Sequence, residues 1–472
     1  MNLTDLKIDC LEAILEFLGI VDLLNAADTS TRLRRAARLV FLRKYGEMPL
    51  IIEELPKQSD PLRYLCLWAY FDPFHGDLTT KCYKIERPKI AFQLLRCFGS
   101  LLPSINCFYD GAVGFNEDLS EVEYHFIDYI NEFCSETIGT LKFNFSNWNR
   151  TLANFNKPFK QVERLCITNR TRTFNSNTNP DRNCLIRLFP RMRSLLIAFM
   201  CSPFIHAGCI ANHFPNLEEL SIYVSERFPC DTCHENYRDV VRLNPQLKKI
   251  EFLTYNIDFA EHLQNIEHLD INIQDRLNQN STIDATHFKN VKHLTARSVM
   301  GHWGFFNNYM EIVVKLTFDH LESFTLQVSM YEDTLIVSQL KDFCEKNQSI
   351  KKLTLMIPPD AVEFVLRINS WLVDTLPLLQ ELEFHLYHFQ KRGRSTADLV
   401  HETVTNILSK FDTVPSISIN LACPLKIYCN KNPRFYCEMN EHFLNGFSDV
   451  WSVSWSDYKH TRLTFKRRND SN

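Results

Sequence analysis

The most constraining feature of this sequence is a short spacing of apolar residues that recurs eleven times along the chain. Each copy has an apolar residue, two variable residues, a second apolar residue, one variable residue and a third apolar residue, as in Leu217, Leu220 and Ile222. The second and third apolar residues are two positions apart, so they lie on one face of a short strand. Such a strand cannot bury that face alone, but neighbouring copies can bury it together.

The copies follow one another at intervals of about 28 residues, which is typical of a repeat architecture. Lead-in residues such as Phe214-Pro215 and Leu376-Pro377 precede several copies, so each unit is predicted to be a helix, a loop and a strand. An ordinary α/β domain with chance matches is the alternative. The central residues of the copies are Leu141, Leu165, Leu195, Leu220, Ile250, Leu269, Leu294, Phe324, Leu353, Leu382 and Ile417.

From about residue 136 to 425 the chain resembles the leucine-rich-repeat proteins, in the long-repeat form of ribonuclease-inhibitor-like proteins. The resemblance implies an α/β solenoid with a parallel concave sheet and convex helices. It also implies that polar strand residues face the concave side and contact a partner. Two aromatic residues of the loop at 300–310 are candidates too, although they can instead pack among the convex helices. The candidate partner-binding residues are Glu219, Tyr223, Glu251, His268, Asp270, His293, Arg297, Trp303 and Phe305.

Residues 3–45 form a separate helical module in this interpretation. Gly19 is expected to end a first helix, and Asp22 to cap a second that runs to about Thr29. Ser30 or Thr31 can cap a third helix, whose basic residues between 32 and 44 are expected to form a solvated face. Three helices of this total length make a small core, which commonly gains stability from a partner or from its host domain. The apolar stripe of the first helix is Leu11, Ile14, Leu15 and Leu18.

Residues 6–18, 21–24 and 30–34 of this module resemble an F-box, although Lys7 stands where that family usually has proline. The resemblance implies docking onto a Skp-family adaptor, which links to a cullin, a RING subunit and a ubiquitin-conjugating enzyme. An amphipathic helix in an apolar groove is an established binding mode. The residues expected to divide between the module core and the adaptor groove are Leu6, Ile8, Leu11, Ile14, Phe17, Leu18 and Leu23.

The two remaining regions are expected to cap the repeats, because the end strands of a solenoid have no neighbour on one side. Residues 46–135 are predicted to be helical, with one or two irregular early repeats, and the apolar run 64–71 is included among the helices. Residues 426–472 contain enough aromatic side chains to pack as the second cap. Lys466-Arg467-Arg468 is expected to be a frayed tail.

Composition narrows the function classes. A net charge of −4 gives no electrostatic reason to expect nucleic acid or an anionic membrane as a partner. No apolar run is long enough for a membrane helix, and residues 1–20 do not have a secretory-signal pattern. We therefore expect a cytoplasmic or nuclear protein, in which the 16 cysteines are mostly buried and reduced.

No motif for catalysis by this chain is present in the sequence. Cys230, Cys233 and His234 have half the spacing of a zinc site, but no second pair of ligands with a matching spacing follows. No metal and no cofactor is expected. The leading hypothesis is a non-catalytic substrate-recognition subunit of a ubiquitin ligase. The rivals are a non-ligase scaffold or sensor built on the repeats and a zinc-dependent hydrolase.

Overall fold

The computed structural model describes a set of ranges that cover most of the predicted elements. These are residues 5–46, 50–53, 65–71, 78–85, 88–108, 128–144, 155, 157–169, 181–199, 203–224, 231–253, 262–274, 287–299, 310, 313–327, 334–357, 362–386, 396–421, 450–457 and 461–467. The chain divides into two compact units, Met1–Leu247 and Lys248–Asn472. Each is mixed α/β and is built around a mostly parallel sheet. The domain boundaries expected from the sequence remain predictions.

Three helices open the first unit, as the sequence predicts: α1 (Ile8–Leu15), α2 (Ile20–Thr29) and α3 (Thr31–Tyr45). The Ser30 hydroxyl accepts a hydrogen bond from the Leu33 N–H at 3.1 Å, so Ser30 is the cap of α3. The prediction that Asp22 caps α2 is wrong, because α2 begins after Gly19. Asp22 lies in the first turn instead, where a negative charge is favoured by the helix dipole.

The three helices are fixed to their host by a fourth, α4 (Pro88–Phe98). The Phe41 ring of α3 stacks on the Phe98 ring with centroids 4.4 Å apart, and both side chains are fully buried. Asp28 of α2 accepts a hydrogen bond from Arg96 of α4 at 2.6 Å. The small core of the module is therefore extended by apolar surface of the host unit.

The basic residues of α3 form only part of the solvated face that the sequence predicts: Arg32, Arg35 and Arg43 are exposed, whereas Arg34, Arg38 and Lys44 are half-buried. Arg38 donates hydrogen bonds to the Cys97 carbonyl at 3.2 Å and to the Ser100 hydroxyl at 2.6 Å. Arg43 bonds to the Glu12 and Glu16 carboxylates of α1 and its following turn, and Arg34 bonds to the Ala27 carbonyl of α2. The half-buried side chains depart from the prediction because long cationic side chains cover apolar surface while their charged ends reach carbonyl and carboxylate groups.

The sheet of the first unit has eight described strands: β1 (Leu50–Glu53), β2 (Leu65–Phe71), β3 (Leu78–Ile85), β4 (Ser104–Phe108), β5 (Thr140–Asn144), β6 (Arg164–Asn169), β7 (Ser194–Phe199) and β8 (Glu219–Val224). Their order is β2-β3-β1-β4-β5-β6-β7-β8, and only β2 and β3 pair antiparallel. Leu141, Leu165, Leu195 and Leu220 are in register and buried.

The prediction of helix for residues 64–71 is wrong, since β2 occupies 65–71. A short, uninterrupted apolar run has no periodicity that separates a strand from a buried helix. Residues 128–134 and 88–98 are helical, as expected. The strand β4 precedes the first predicted repeat and pairs in parallel with β5, as an early irregular repeat would. Three more helices follow in this unit: α5 (Cys184–Leu188), α6 (Pro203–His206) and α7 (Asp231–Leu243).

The second unit continues the same alternation. Its strands are β9 (Lys249–Leu253), β10 (His268–Gln274), β11 (His287–Phe288), β12 (His293–Val299), β13 (Thr317–Phe318), β14 (Ser323–Gln327), β15 (Lys352–Ile357), β16 (Glu381–Leu386), β17 (Ser416–Leu421), β18 (Trp451–Asp457) and β19 (Thr461–Arg467). Its described helices are α8 (Thr334–Lys346), α9 (Val362–Thr375) and α10 (Thr396–Lys410).

The main sheet of this unit has the order β9-β10-β12-β14-β15-β16-β17-β19-β18, and it is parallel as far as β17. A separate pair, β11 and β13, lies where other repeats have helices. All eleven predicted strands are present in the two units. The aligned and buried central residues of this unit are Ile250, Leu269, Leu294, Phe324, Leu353, Leu382 and Ile417.

An antiparallel pair, β18 and β19, completes the sheet next to β17. The expected frayed tail is therefore wrong for Lys466 and Arg467, which belong to β19, and the Arg467 N–H donates to the Pro415 carbonyl at 3.0 Å. Trp451 is buried, as a capping residue should be. The other aromatic residues that suggested a cap between 426 and 447 lie outside the described residues.

Candidate functional site

The first candidate surface is an apolar patch on the N-terminal module, which we call the module patch. It consists of Ile14, Phe17, Leu39 and Leu42, whose side chains remain exposed to 43%, 91%, 39% and 44%. Single exposed apolar residues are ordinary, but a nearly fully exposed phenylalanine three positions after an exposed isoleucine, on a module with two further exposed leucines, is not. Phe17 lies in the turn that follows α1, and its N–H donates to the carbonyl of Ile14 at 3.3 Å, so the two residues lie close together at the end of the helix.

The seven predicted adaptor residues fall into three groups in the structure. Leu11 and Leu23 are fully buried and form the module core. Ile14 and Phe17 point outward, where a partner can reach them. The remaining three, Leu6, Ile8 and Leu18, are half-buried.

Charged contacts hold α1 in place beneath the module patch. The Arg43 guanidinium of α3 donates to the Glu12 carboxylate at 2.7 Å and to the Glu16 carboxylate at 3.0 Å. Lys44 donates to the backbone carbonyl of Glu16 at 2.8 Å and to that of Leu18 at 3.1 Å. The hydrogen bonds that Arg43 donates to both carboxylates raise its pKa. The segment that carries Phe17 is thus fixed by polar contacts at both its backbone and its side chains.

Lys7, the departure from the F-box pattern, sits immediately before α1 with a φ of −59°. This angle lies within the range that the proline ring imposes. The lysine therefore leaves the backbone in a conformation that proline would also adopt. The change of residue does not alter how α1 begins.

The second candidate surface is the side of the second-unit sheet opposite its buried leucines, which we call the polar face. Its middle row follows one register line across seven strands. The row contains Glu251, Asp270, Thr295, Thr325, Thr354, Glu383 and Ser418. Glu251, Thr354, Glu383 and Ser418 are buried, whereas Asp270, Thr295 and Thr325 are only half-buried. The accessible part of the polar face is therefore its centre, on β10, β12 and β14.

One end of the polar face is closed by a network around Glu383. Its carboxylate lies 2.8 Å from Lys352 Nζ, 3.1 Å from His385 Nε2 and 2.6 Å from Asn420 Nδ2. Lys352 Nζ also lies 3.0 Å from a carboxylate oxygen of Glu381. The Asn420 Oδ1 atom is buried and has no hydrogen-bond partner among the described residues. The charges at this end satisfy one another.

Two opposing effects act on the pKa of Glu383. Burial raises it, but hydrogen bonds from His385 and Lys352 together with their charges outweigh burial and hold the pKa well below its ordinary value. The pKa of Lys352 is raised: burial lowers it, but hydrogen bonds to Glu383 and Glu381 reverse that effect. Both groups are therefore ionised near neutral pH, as an internal ion pair.

The centre of the polar face carries two stacked histidines. The rings of His268 and His293 lie on adjacent strands with centroids 4.2 Å apart and planes 18° apart. The Nδ1 atom of His293 lies 2.8 Å from the Ser323 hydroxyl. Burial, followed by the charge of His293, lowers the pKa of His268. Imidazole nitrogens with a hydroxyl beside them can donate and accept hydrogen bonds at this position.

The nine predicted partner-binding residues are thus only partly brought together. His268, Asp270, His293 and Arg297 share the open centre of the polar face. Glu251 is 5% exposed, so little of it is open to a partner, and its role stays a prediction. For the others, Glu219 is half-buried in the first unit, Tyr223 lies in β8 with a side chain outside the description, and Trp303 and Phe305 lie outside the described residues.

Sequence reasoning missed two sets of residues. Leu39 and Leu42 are three positions apart on the face of α3 opposite its buried stripe, and helical spacing alone could have found them. Asn420 comes directly after the buried Ile419, just as His385 comes directly after the buried Phe384. The repeat spacing therefore predicts that Asn420 lies on the polar face. It was not predicted because the last repeat matches the spacing only weakly.

Metal and membrane sites were also sought in the described part of the chain. No group of three or more histidine, cysteine or acidic side chains there is arranged to hold a metal ion. Cys233 is buried within α7, and Cys230 lies outside the description. None of the described helices is both long enough and apolar enough to cross a membrane.

Comparison with known proteins adds no assignment. No model of a protein family matches this chain, and no curated protein is similar to it.

Proposed function

We propose that this chain is the substrate-recognition subunit of a Skp-cullin-F-box ubiquitin ligase, with the module patch as its adaptor contact. The observation that carries the proposal is the 91% exposure of Phe17 on a helix end that polar contacts hold in place. An exposed aromatic residue with apolar neighbours is a favourable anchor for a partner's groove. The leucine-rich-repeat sheet then holds the target, and the cytoplasm or nucleus is the compartment.

The contact to α4 matters for this function because it fixes the module to the sheet of the first unit. Phe41 stacks on Phe98, and Arg38 and Asp28 bond to the same segment of the host. An adaptor held by the module would therefore keep a constant orientation relative to that sheet.

The test is co-purification of a Skp-family adaptor with the full chain carrying Phe17→Asp and Ile14→Asp. Both side chains are exposed, so the variant is expected to fold normally and to lose adaptor affinity at least about tenfold. Leu378→Asp is the matched control, because Leu378 is 52% exposed but lies in the second unit. It should retain the adaptor fully.

Replacing Leu11 would be uninformative, since Leu11 is fully buried and an aspartate there would unfold the module. Deleting residues 1–45 would also fail to separate the ligase from a scaffold, because Phe98 would be uncovered in either case. Equal adaptor recovery by wild type and the Phe17/Ile14 variant, or no recovery by either, would overturn the ligase proposal. The second outcome is what the non-ligase scaffold predicts.

A further inference from the structure

Arg297 is the unusual residue at the centre of the polar face. Its Nε atom is buried and has no hydrogen-bond partner within the described residues, although the side chain as a whole is only half-buried. A buried donor without a partner is costly, and native structures rarely keep one without a reason. Two lysines also face this side, each two strands away from β12: Lys352 is bound to Glu381 and Glu383, and Lys249 is in register with His268.

The surroundings of Arg297 are suited to hydrogen bonding with a peptide. Thr295 precedes it by two positions on the same face of β12, and Thr325 of β14 is in register with Thr295. On the other side, Asp270 of β10 is in register with Thr295. All three side chains are half-buried rather than closed over, unlike the residues at the ends of the row. The open centre thus combines hydroxyl groups with one guanidinium, whose Nε atom is a donor without a partner in the described part of the chain.

We propose that the centre of the polar face binds a peptide segment of the substrate through one Asp or Glu side chain, whose carboxylate is received by the Arg297 guanidinium. This rests on the proposed function of substrate recognition and specifies the chemistry that is recognised. A carboxylate can accept two parallel hydrogen bonds from an arginine, including one from Nε. Because Nε is buried in the free protein, the Arg297 side chain has to turn for Nε to meet the carboxylate, and binding would then satisfy the donor that the free protein leaves without a partner.

A carboxylate fits this position better than a phosphoryl group. A phosphorylated side chain carries between about 1.5 and 2 negative charges and is typically met by a cluster of arginines. Among the described residues a single arginine stands near Asp270; the two lysines on this side, Lys249 and Lys352, each lie two strands from β12, and Lys352 is already paired with carboxylates. A singly charged group matches one guanidinium, whereas a doubly charged group would meet an uncompensated repulsion from Asp270.

The experiment selects random-sequence peptides displayed on phage against the immobilised full chain. Selected peptides are expected to share an acidic residue at one position. Synthetic copies are then compared with versions carrying Asn or Gln, or phosphoserine, at that position. Loss of the carboxylate should weaken binding to the wild type at least about tenfold and leave binding to Arg297→Gln unchanged. The matched control Lys249→Gln removes the same charge from β9 and should behave as the wild type.

Three results would overturn the proposal: no acidic position among selected peptides, an equal effect of the carboxylate in wild type and Arg297→Gln, or tighter binding of phosphoserine. Thermal unfolding guards against a folding defect, since Arg297→Gln breaks no hydrogen bond of Nε and should melt no lower than the wild type. The adaptor assay separates this proposal from the ligase proposal. Arg297→Gln should keep the adaptor, and the Phe17/Ile14 variant should keep the peptide.

Discussion

The module patch and the polar face differ in how their exposed groups are supported. The patch presents apolar side chains such as Phe17 whose backbone is held from beneath by Arg43 and Lys44. The polar face presents groups that bond to one another, as Glu383 does with Lys352, except at its centre. The module patch therefore offers a partner exposed apolar area, whereas the centre of the polar face offers the Nε donor of Arg297, which is unpaired among the described residues.

This difference separates two kinds of recognition. Burying apolar area gives affinity without directional requirements. A desolvated donor instead rejects any ligand that lacks an acceptor, which gives specificity. A constant adaptor is suited to the first kind and a selected substrate to the second, so the two surfaces support the two halves of the proposed function.

The variant with the largest expected effect tests whether the stability of the N-terminal module depends on its packing against α4. Phe41→Ala removes a fully buried ring that stacks on Phe98, and it should lower the free energy of unfolding by about 3–5 kcal/mol. Phe17→Ala removes the same side chain from an exposed position and should change that free energy by less than about 0.5 kcal/mol. Urea denaturation of both full-length variants measures the contrast. Similar losses in the two would mean that Phe17 is packed, and the module patch would not exist.

The strand positions were predictable because one physical requirement fixes them. Leu220 and Ile222 need a neighbour with the same face, and the repeat spacing supplies one, so sequence alone located all eleven strands. Residues 65–71 were not predictable in the same way. Their unbroken apolar run satisfies either a buried helix or a buried strand, and the choice of strand is made by pairing with β3.

The candidate sites were predictable as residue types but not as environments. Alternation places both Glu251 and Asp270 on the polar face, yet one is buried and the other half-buried. Burial of a polar residue depends on what lies over it, which local spacing does not encode. Likewise, the helical stripe contains both Leu11 and Ile14, and only the packing against α3 decides which one is covered.

A variant with a smaller expected effect tests whether the ion pair of Glu383 and Lys352 stabilises the closed end of the polar face. Glu383→Gln keeps the side-chain shape but leaves Lys352 with only Glu381, so the free energy of unfolding should fall by about 1–3 kcal/mol near neutral pH. Glu322→Gln is the control, because Glu322 and Lys351 form an exposed pair, and it should cost less than about 1 kcal/mol. Equal losses would remove the distinction between a closed end and an ordinary surface.

The pH dependence of that loss has a definite sign. The folded pKa of Glu383 is below its ordinary value of 4.5, so its contribution is complete above about pH 4.5 and is lost as the pH falls through the folded pKa. The difference between the wild type and Glu383→Gln should therefore shrink as the pH falls below about 4.5. The raised pKa of Lys352 acts in the opposite direction. Its contribution is complete below its ordinary value of 10.5 and is lost as the pH rises through the folded pKa.

The smallest expected effect concerns Lys7, where the module departs from the F-box pattern. Because its φ is already −59°, Lys7→Pro restricts the unfolded chain without straining the folded one, and it should raise the free energy of unfolding by about 0.4–1 kcal/mol. Adaptor affinity should stay within about twofold of the wild type, since Phe17 and Ile14 keep their places. Denaturation and adaptor titration of the same variant measure both quantities. A large gain in adaptor affinity would show that residue 7 itself contacts the adaptor, and the module patch would then have to be extended to the start of α1.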